Sequence, residues 1–174
     1  MIEREIVTKI TRVSTPDDIA VLAHLAREIW PQHFTPIIGA SQVEYMLEKF
    51  QSVEAVSSQI DSGWEYYLAS FDNETVGYAG LVPDIDSKRL MLSKIYVKES
   101  ARGKGLGKSI LGFVERKCNL EGFNTLWLTV NRFNSDPVSW YRHRGFVIVD
   151  EVKKDIGGGF FMDDYIMEKK IHKN

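Results

Sequence analysis

Apolar residues along this chain recur with two different periods, and the changes of period predict where helices and strands lie. Spacings of three and four residues are typical of helices, and they occur at 14–30, 41–50, 53–63, 106–121 and 136–145. Alternating or continuously apolar runs are typical of strands, and they occur at 5–13, 65–71, 75–83, 89–97, 125–130, 146–156 and 160–171. Pro31 is expected to end the first helix, which leaves 31–41 as a loop.

The order of these elements predicts an α/β fold with a mixed sheet, in a single domain over 1–174. A strand at 89–97, a helix at 106–121 and a strand at 125–130 form a crossover unit. Such units are right-handed in nearly every case, and we expect their two strands to be parallel neighbours. The strands before this unit are expected to form an antiparallel meander. The sheet should therefore be mostly antiparallel, with helices on both faces.

Composition narrows the class of protein. The chain has 174 residues, of which 44% are hydrophobic and 26% charged, and its formal net charge is −2. It lacks the basic character that is usual in nucleic-acid binders, and no apolar run approaches the ~20 residues that span a membrane. Its charged first ten residues do not resemble a signal peptide. We therefore expect a cytoplasmic protein, with its one cysteine, Cys118, reduced and in the core.

The stretch RGKGLGKS, Arg102 to Ser109, suggests a phosphate-binding loop, and three patterns compete for it. A nucleotide P-loop needs a glycine where Arg102 stands. A dinucleotide fingerprint needs a third glycine where Lys108 stands. The pattern [Q/R]-x-x-G-x-[G/A] is matched by Arg102, Gly105 and Gly107.

The third pattern has a direct physical basis. A strand delivers the chain to a turn whose backbone N–H groups point outward, and the following helix presents its positive end at the same place. Glycines allow close approach of an anion, and the cations Arg102, Lys104 and Lys108 add charge. This arrangement favours a pyrophosphate over a single phosphate.

Three segments, in order, resemble the GNAT superfamily of N-acetyltransferases: KIYVKESARGKGLGKSIL, LWLTV and NSDPVSWYRHRGF. The last matches the family's N-x-x-[A/P]-x-x-x-Y-x-x-x-G-F, with Asn134, Pro137, Tyr141, Gly145 and Phe146 on spacing. The resemblance is sharp over about 88–150. The loop segment and the tail GGGFFMDDYIMEKKI are also similar, more loosely, to bacterial polyamine N-acetyltransferases.

The resemblance implies that the parallel strands at 89–97 and 125–130 splay apart and that acetyl-CoA, the co-substrate, lies in the gap. Its pantetheine arm would pair with the backbone of Ile95, Tyr96 and Val97. Its pyrophosphate would bind the N–H groups of Arg102, Gly103, Lys104, Gly105, Leu106, Gly107 and Lys108.

The implied reaction is direct attack of a neutral amine on the acetyl thioester. Tyr141 is the candidate general acid, because a phenol in reach of the sulfur can protonate the departing thiolate. Asn134 is expected either to contact the pantetheine arm or to cap the following helix. A backbone N–H near Ile95 or Tyr96 is the expected oxyanion donor.

The general base stays open. Many relatives carry a glutamate on the strand before the glycine loop, but Ser93 and Lys94 stand there. His33 and Glu65 are candidates at the acceptor site, and a chain of waters is a third alternative. No metal is expected, since the other histidines lack ligand spacing. Four acids are taken as ordinary turn or surface residues that would favour a cationic acceptor if they cluster at the cleft: Asp84, Asp86, Asp163 and Asp164.

The sequence therefore predicts an acetyl-CoA-dependent N-acetyltransferase for a small-molecule primary amine, with a polyamine-like acceptor as one form. Two alternatives stay open: a non-catalytic acyl-CoA-binding or regulatory module of the same fold, and an acetyltransferase for protein or peptide amines. A homodimer is expected from the resemblance.

Overall fold

The computed structural model describes residues 8–173, except the side chain of residue 94. Within them the elements are β1 (Thr8–Arg12), α1 (Pro16–Ile38), α2 (Ala40–Gln51), α3 (Val53–Asp61), β2 (Glu65–Phe71), β3 (Glu74–Asp84), β4 (Arg89–Val97), a 3₁₀ turn (Glu99–Ala101), α4 (Leu106–Glu121), β5 (Thr125–Asn131), α5 (Ser135–His143), β6 (Val147–Gly157) and β7 (Phe160–Lys170). The first three residues of the strand predicted at 5–13 lie outside the described residues.

The strands of the described chain form one sheet in the order β1-β2-β3-β4-β5-β7-β6. The pairs β1–β2, β2–β3, β3–β4, β5–β7 and β6–β7 are antiparallel, and β4–β5 is parallel. The predicted mixed sheet and its one parallel pair are confirmed.

Two layers of helix cover the two faces of this sheet, because alternate strand residues supply two separate cores. On one face Tyr67, Ala69 and Leu81 pack with the apolar stripe of α4, whose Ile110 and Val114 are fully buried. Cys118 lies in this core, and burial raises the pKa of its thiol to about 12. On the other face the second core, built on α1, α2 and α3, packs against residues of β2 and β3.

The first helix is longer than its sequence predicts, and the expected stop at Pro31 is wrong. α1 begins with a capping box at Thr15 and Asp18, but it then continues through both Pro31 and Pro36 to Ile38. A proline inside a helix removes one backbone hydrogen bond. Here Trp30 and Phe34 are buried in the second core on either side of Pro31, so burial of the helix face outweighs the local penalty.

Candidate active site

The parallel strands β4 and β5 pair over only three residues and then separate. Their paired residues are Arg89 with Thr125, Leu90 with Leu126 and Met91 with Trp127. Next to this point the register of β3 and β4 shifts, which leaves residue 93 of β4 as the extra residue of a bulge. Because a bulge bends and twists its strand, it explains why β4 diverges from β5. The predicted splayed pair is therefore present.

The backbone of β4 alternates between its neighbour β3 and the open gap. Lys98 N–H donates to the Val76 carbonyl at 2.7 Å, and Tyr96 lies opposite Tyr78. In an antiparallel ladder the next residue's groups point to the other side. The N–H and C=O groups of Ile95 and Val97 therefore face the gap, whereas those of Tyr96 face β3. Of the three residues predicted to pair with pantetheine, Ile95 and Val97 point their backbone groups into the gap, although the Val97 carbonyl already accepts a hydrogen bond from Arg102.

The glycine loop connects the 3₁₀ turn to the first residue of α4. Gly103 and Gly105 have φ values of 77° and 78°, in the left-handed region that disfavours other residues. Gly105 is the N-cap of α4 and makes no side-chain capping bond. The first N–H groups of a helix have no partner within it, so this loop offers an uncapped positive end to an anion, with open space around both glycines.

The remaining loop residues contribute in different ways. Gly107 is needed for space, since a Cβ there would lie 3.3 Å from the Trp140 ring. Leu106 is buried and anchors the loop to the sheet. Arg102 Nε donates to the Val97 carbonyl at 3.2 Å, which fixes the loop against the end of β4. Lys104 lies 5.1 Å from the centre of the Phe71 ring, and Lys108 is exposed.

A cavity of about 990 Å³ is lined by Arg102 of this loop and by residues of the two splayed strands, β4 and β5. Residues of other elements, among them α1, α2 and β7, line the rest of it. We call its first part the cofactor end, which is lined by Ile95, Val97, Arg102, Gly107, Asn134 and Trp140. We call its second part the acceptor chamber, which is lined by Phe34, Met46, Gln51, Trp64, Met162 and Asp164. Tyr96 and Tyr141 line the cavity between the two parts.

Tyr141 lies on α5 and is 7% exposed. Its ring makes edge contacts with Trp140 at 5.1 Å and Phe146 at 5.3 Å, which hold it in place. Burial and, to a smaller extent, the nearby Tyr96 raise the pKa of its phenol above the ordinary value of 10. The phenol is therefore protonated at neutral pH, which is the form that a general acid requires.

Asn134 and His33 meet across the cavity although 101 positions separate them. The Asn134 amide donates to His33 Nε2 at 2.9 Å, so the imidazole is a neutral acceptor at this atom. Burial and the charge of Arg102 lower the pKa of His33, against the opposing charge of Asp136. Asn134 is the N-cap residue of α5, but its side chain makes no capping bond. His33 lies on α1 rather than in the loop predicted at 31–41.

The structure does not bring Glu65 to the cavity. This residue points to the α4 face of the sheet, where its carboxylate contacts Lys117 at 2.9 Å and Arg12 at 3.5 Å. It also accepts a hydrogen bond from Tyr67 at 3.2 Å. These contacts argue against a role for Glu65 at the acceptor site and indicate a structural one.

Two residues that sequence reasoning did not assign to the site lie in the acceptor chamber. Asp164, treated as an ordinary surface acid, is 5% exposed and faces the cavity. A signal existed, because Met162, Asp164 and Ile166 share one face of β7, so an acid interrupts an apolar row. Gln51 accepts a hydrogen bond from Tyr78 at 2.9 Å. Its amide nitrogen is buried without a partner among the described residues, and no sequence pattern marks it.

The residues present fit acetyl-CoA. The uncapped helix end, the open glycine turn and the unpaired edge of β4 offer backbone donors along one continuous path. Within residues 8–173 no cluster of three or more His, Cys, Asp or Glu side chains has the geometry of a metal site. No described helix is long and apolar enough to cross a membrane.

Comparisons with known proteins agree with this geometry. Residues 22–146 match the model of the acetyltransferase (GNAT) family. An uncharacterised N-acetyltransferase of Lactobacillus delbrueckii subsp. lactis is 28% identical over 82% of this chain and 86% of its own length. A spermidine N(1)-acetyltransferase of Thermoplasma acidophilum is 28% identical over 88% of this chain and 92% of its own.

A solved structure extends the likeness to three dimensions. The PaiA N-acetyltransferase of Thermoplasma acidophilum, in complex with coenzyme A, superposes with a TM-score of 0.76 at 27% identity. The match covers 94% of this chain and 99% of that one.

Proposed function

The chain belongs to the acetyltransferase (GNAT) family, and we propose that its acceptor is a primary amine of a small molecule. Membership makes it an acetyl-CoA-dependent N-acetyltransferase. Which amine receives the acetyl group is not a property of the family, so the acceptor has to be argued from this chain.

The observation that carries the proposal is the acceptor chamber. It lies beyond Tyr141, between the helices α1 to α3 and the strands β6 and β7, and buried side chains line it. Small-molecule sites are concave and mostly apolar, with a few polar groups that fix orientation. A chamber of this kind suits a small amine better than the extended backbone of a peptide.

Each end of the cavity has a proposed role. The loop N–H groups from residues 102 to 108 hold the pyrophosphate, and the backbone of Ile95 and the N–H of Val97 pair with the pantetheine arm. The N–H of Ile95, which faces the gap, stabilises the oxyanion. Tyr141 gives its proton to the departing thiolate. Asn134 and His33 line the same path and position the arm.

Polyamines are one acceptor class that the proposal includes. The spermidine N(1)-acetyltransferase of Thermoplasma acidophilum is a relative over most of both chains. The chamber itself combines aromatic rings with the acid Asp164, and both attract a cation.

A thiol-release assay with acetyl-CoA tests the proposal across spermidine, 2-phenylethylamine, an aminoglycoside and a lysine-containing peptide. We expect turnover of at least one small amine and a far lower kcat/KM for the peptide. Preferred acetylation of the peptide would establish the alternative acceptor class. Tight coenzyme A binding without turnover of any amine would establish the non-catalytic alternative.

We also propose that the protein is a cytoplasmic homodimer. The sheet ends at β6, and the exposed Val147 and Val149 lie on this edge strand. An uncovered strand edge with apolar residues is a surface that a second copy can pair with. Light scattering on the purified protein measures the oligomeric state, and a monomer at micromolar concentration would contradict this proposal.

A further inference from the structure

Asp164 is a buried acid that takes no part in binding acetyl-CoA, in stabilising the oxyanion or in protonating the thiolate. It lies in the middle of β7 and is 5% exposed. Its cross-strand neighbours are Asn131 on β5 and Val152 on β6, and all three line the cavity. Burial of a carboxylate disfavours its charged form unless other groups compensate. The fold therefore places a costly group at a wall of the acceptor chamber.

Nothing in the described residues compensates Asp164 with a hydrogen bond. Burial and the neighbouring Asp163 raise its pKa from the ordinary value of 3.8 to about 6, against the opposing charge of Arg132. Arg132 itself is paired with Asp163 at 2.6 Å. Tyr96 is close enough to Asp164 to interact with it electrostatically, and Lys154 lines the same cavity. A bound cation would supply the missing partner.

The position of Asp164 relates it to the reaction. Its charge adds to burial in raising the pKa of Tyr96, and Tyr96 acts in the same way on Tyr141. Asp164, Tyr96 and Tyr141 are thus electrostatic neighbours around the junction of the cofactor end and the chamber. The acid and the phenol line the same cavity in which the amine would attack the thioester.

We propose that Asp164 binds the ammonium group of the acceptor and takes the proton that must leave before nitrogen can attack. This rests on the proposed function, since it assigns a role within the same site. The adjoining aromatic and apolar walls, including Phe34 and Trp64, would hold the carbon skeleton of that amine.

The ammonium nitrogen gives one proton to the Asp164 carboxylate, and its freed electron pair forms a bond to the acetyl carbon. The carbon–sulfur bond breaks, and the thiolate takes the proton of Tyr141. The second proton that the nitrogen loses restores the Tyr141 phenol. The proton on Asp164 passes to water, so each turnover yields amide, coenzyme A thiol and one released proton.

Asp164 suits this role better than His33. A carboxyl with a pKa of about 6 is roughly a hundredfold stronger base than an ordinary aspartate. It is still ionised at pH 7, so it attracts a cation. The neutral His33 ring already accepts the Asn134 amide hydrogen at Nε2, and it lies at the cofactor end.

The variant Asp164→Asn tests the proposal, with Asp163→Asn as its matched control. In the wild-type protein, kcat/KM for the best amine of the panel should decrease as the pH is lowered, with a midpoint near pH 6. We call this decrease the acid limb of the pH profile. Asp164→Asn should lose that limb and at least about a hundredfold in kcat/KM. Asp163→Asn should keep its plateau rate and move the limb to lower pH, because it removes a charge that raises the pKa of Asp164.

Stability gives a readout that does not depend on turnover. An acid whose pKa is higher in the folded chain contributes stability that is complete below pH 3.8 and lost as pH rises through about 6. Asp164→Asn should therefore melt at the same or a higher temperature than wild type at pH 8. A merely structural Asp164 would instead make the variant less stable.

Calorimetry then measures how tightly spermidine and 2-phenylethylamine bind to the complex of the protein with coenzyme A. At least one should bind wild type and bind Asp164→Asn tenfold or more weakly. The proposal is overturned if Asp164→Asn binds the amine as tightly as wild type and keeps the acid limb. It is also overturned if His33→Asn loses the acid limb and Asp164→Asn does not. In either case turnover of the amine by wild type leaves the proposed function intact, whereas no turnover by wild type contradicts the function itself.

Discussion

The two parts of the cavity are built in different ways. The cofactor end is built mainly on one continuous segment, which runs from the end of β4 through the glycine loop into α4, and Asn134 and Trp140 complete it. The acceptor chamber consists of side chains from α1, α2 and β7 together with Trp64 before β2, and these segments are far apart along the chain. One end depends on local conformation, and the other depends on which elements the fold brings together.

This difference determines how strongly each end depends on the identity of its side chains. A backbone donor exists at every residue, so only glycine spacing and a helix start are needed to hold a pyrophosphate. An acceptor is selected by side chains such as Asp164, Gln51 and Trp64, whose types can change without disturbing the fold. Substitutions at the junction, at the cofactor end and outside the cavity should therefore have different effects.

The largest effect is expected at the junction, from Tyr141→Phe. If the phenol protonates the thiolate, its loss should lower kcat by about 10²–10⁴ with little change in KM for acetyl-CoA. Steady-state kinetics of thiol release measure both constants. Tyr67→Phe removes a hydroxyl from a tyrosine outside the cavity and should keep full kcat. An unchanged rate in Tyr141→Phe would assign this residue to packing alone.

A smaller effect is expected at the cofactor end, from Gly105→Ala. A side chain at φ 78° costs about 1–2 kcal/mol, so the loop should relax away from the geometry that holds the anion. We expect KM for acetyl-CoA to rise about tenfold while kcat at saturation stays within a factor of two.

The control for this change is Gly112→Ala, inside α4. Its added methyl group meets only the end of the Arg116 side chain at 3.4 Å, so kinetics should be unchanged. The free energy of unfolding should rise slightly, because alanine has a higher helix propensity than glycine. A wild-type KM in Gly105→Ala would show that the left-handed turn is not needed for binding.

The smallest effect on catalysis is expected from Glu65→Gln. Lys117 and Glu65 are 10% and 14% exposed, and Lys117 also pairs with Glu121. The loss of one charged hydrogen bond should lower the free energy of unfolding by about 1–2 kcal/mol and leave kcat/KM unchanged. Denaturant unfolding measures the first quantity. Glu44→Gln, in an exposed pair with Arg27, is the control that should leave stability unchanged.

A loss of activity in Glu65→Gln, at a temperature where the chain is folded, would contradict the division between the cavity and the α4 face. It would restore Glu65 as a candidate for the acceptor site. The expected result would exclude Glu65 and agree with the proposed proton acceptor, Asp164 on β7, which lies on the opposite side of β5 from β4.

Much of the fold could be predicted because hydrophobic periodicity and the residues that begin and end helices and strands act locally. The parallel pairing of β4 and β5 around α4 was predicted from the order of the periods along the chain, and the structure confirms it. The extension of α1 past Pro31 was not predicted, since it depends on the burial of Trp30 and Phe34 in a core that other segments build. A local rule was overridden by a tertiary contact.

The sequence by itself determined the cofactor end, from Arg102 through Lys108 to Tyr141, because glycine torsions, helix polarity and fixed spacing are properties of a short stretch. Only the tertiary structure decided the rest. It brought His33 to Asn134, sent Glu65 to the α4 face and left Asp164 buried at the wall of a chamber. The physical reason is that burial and electrostatic neighbours exist only once distant segments pack, and these two quantities give an acid its chemistry.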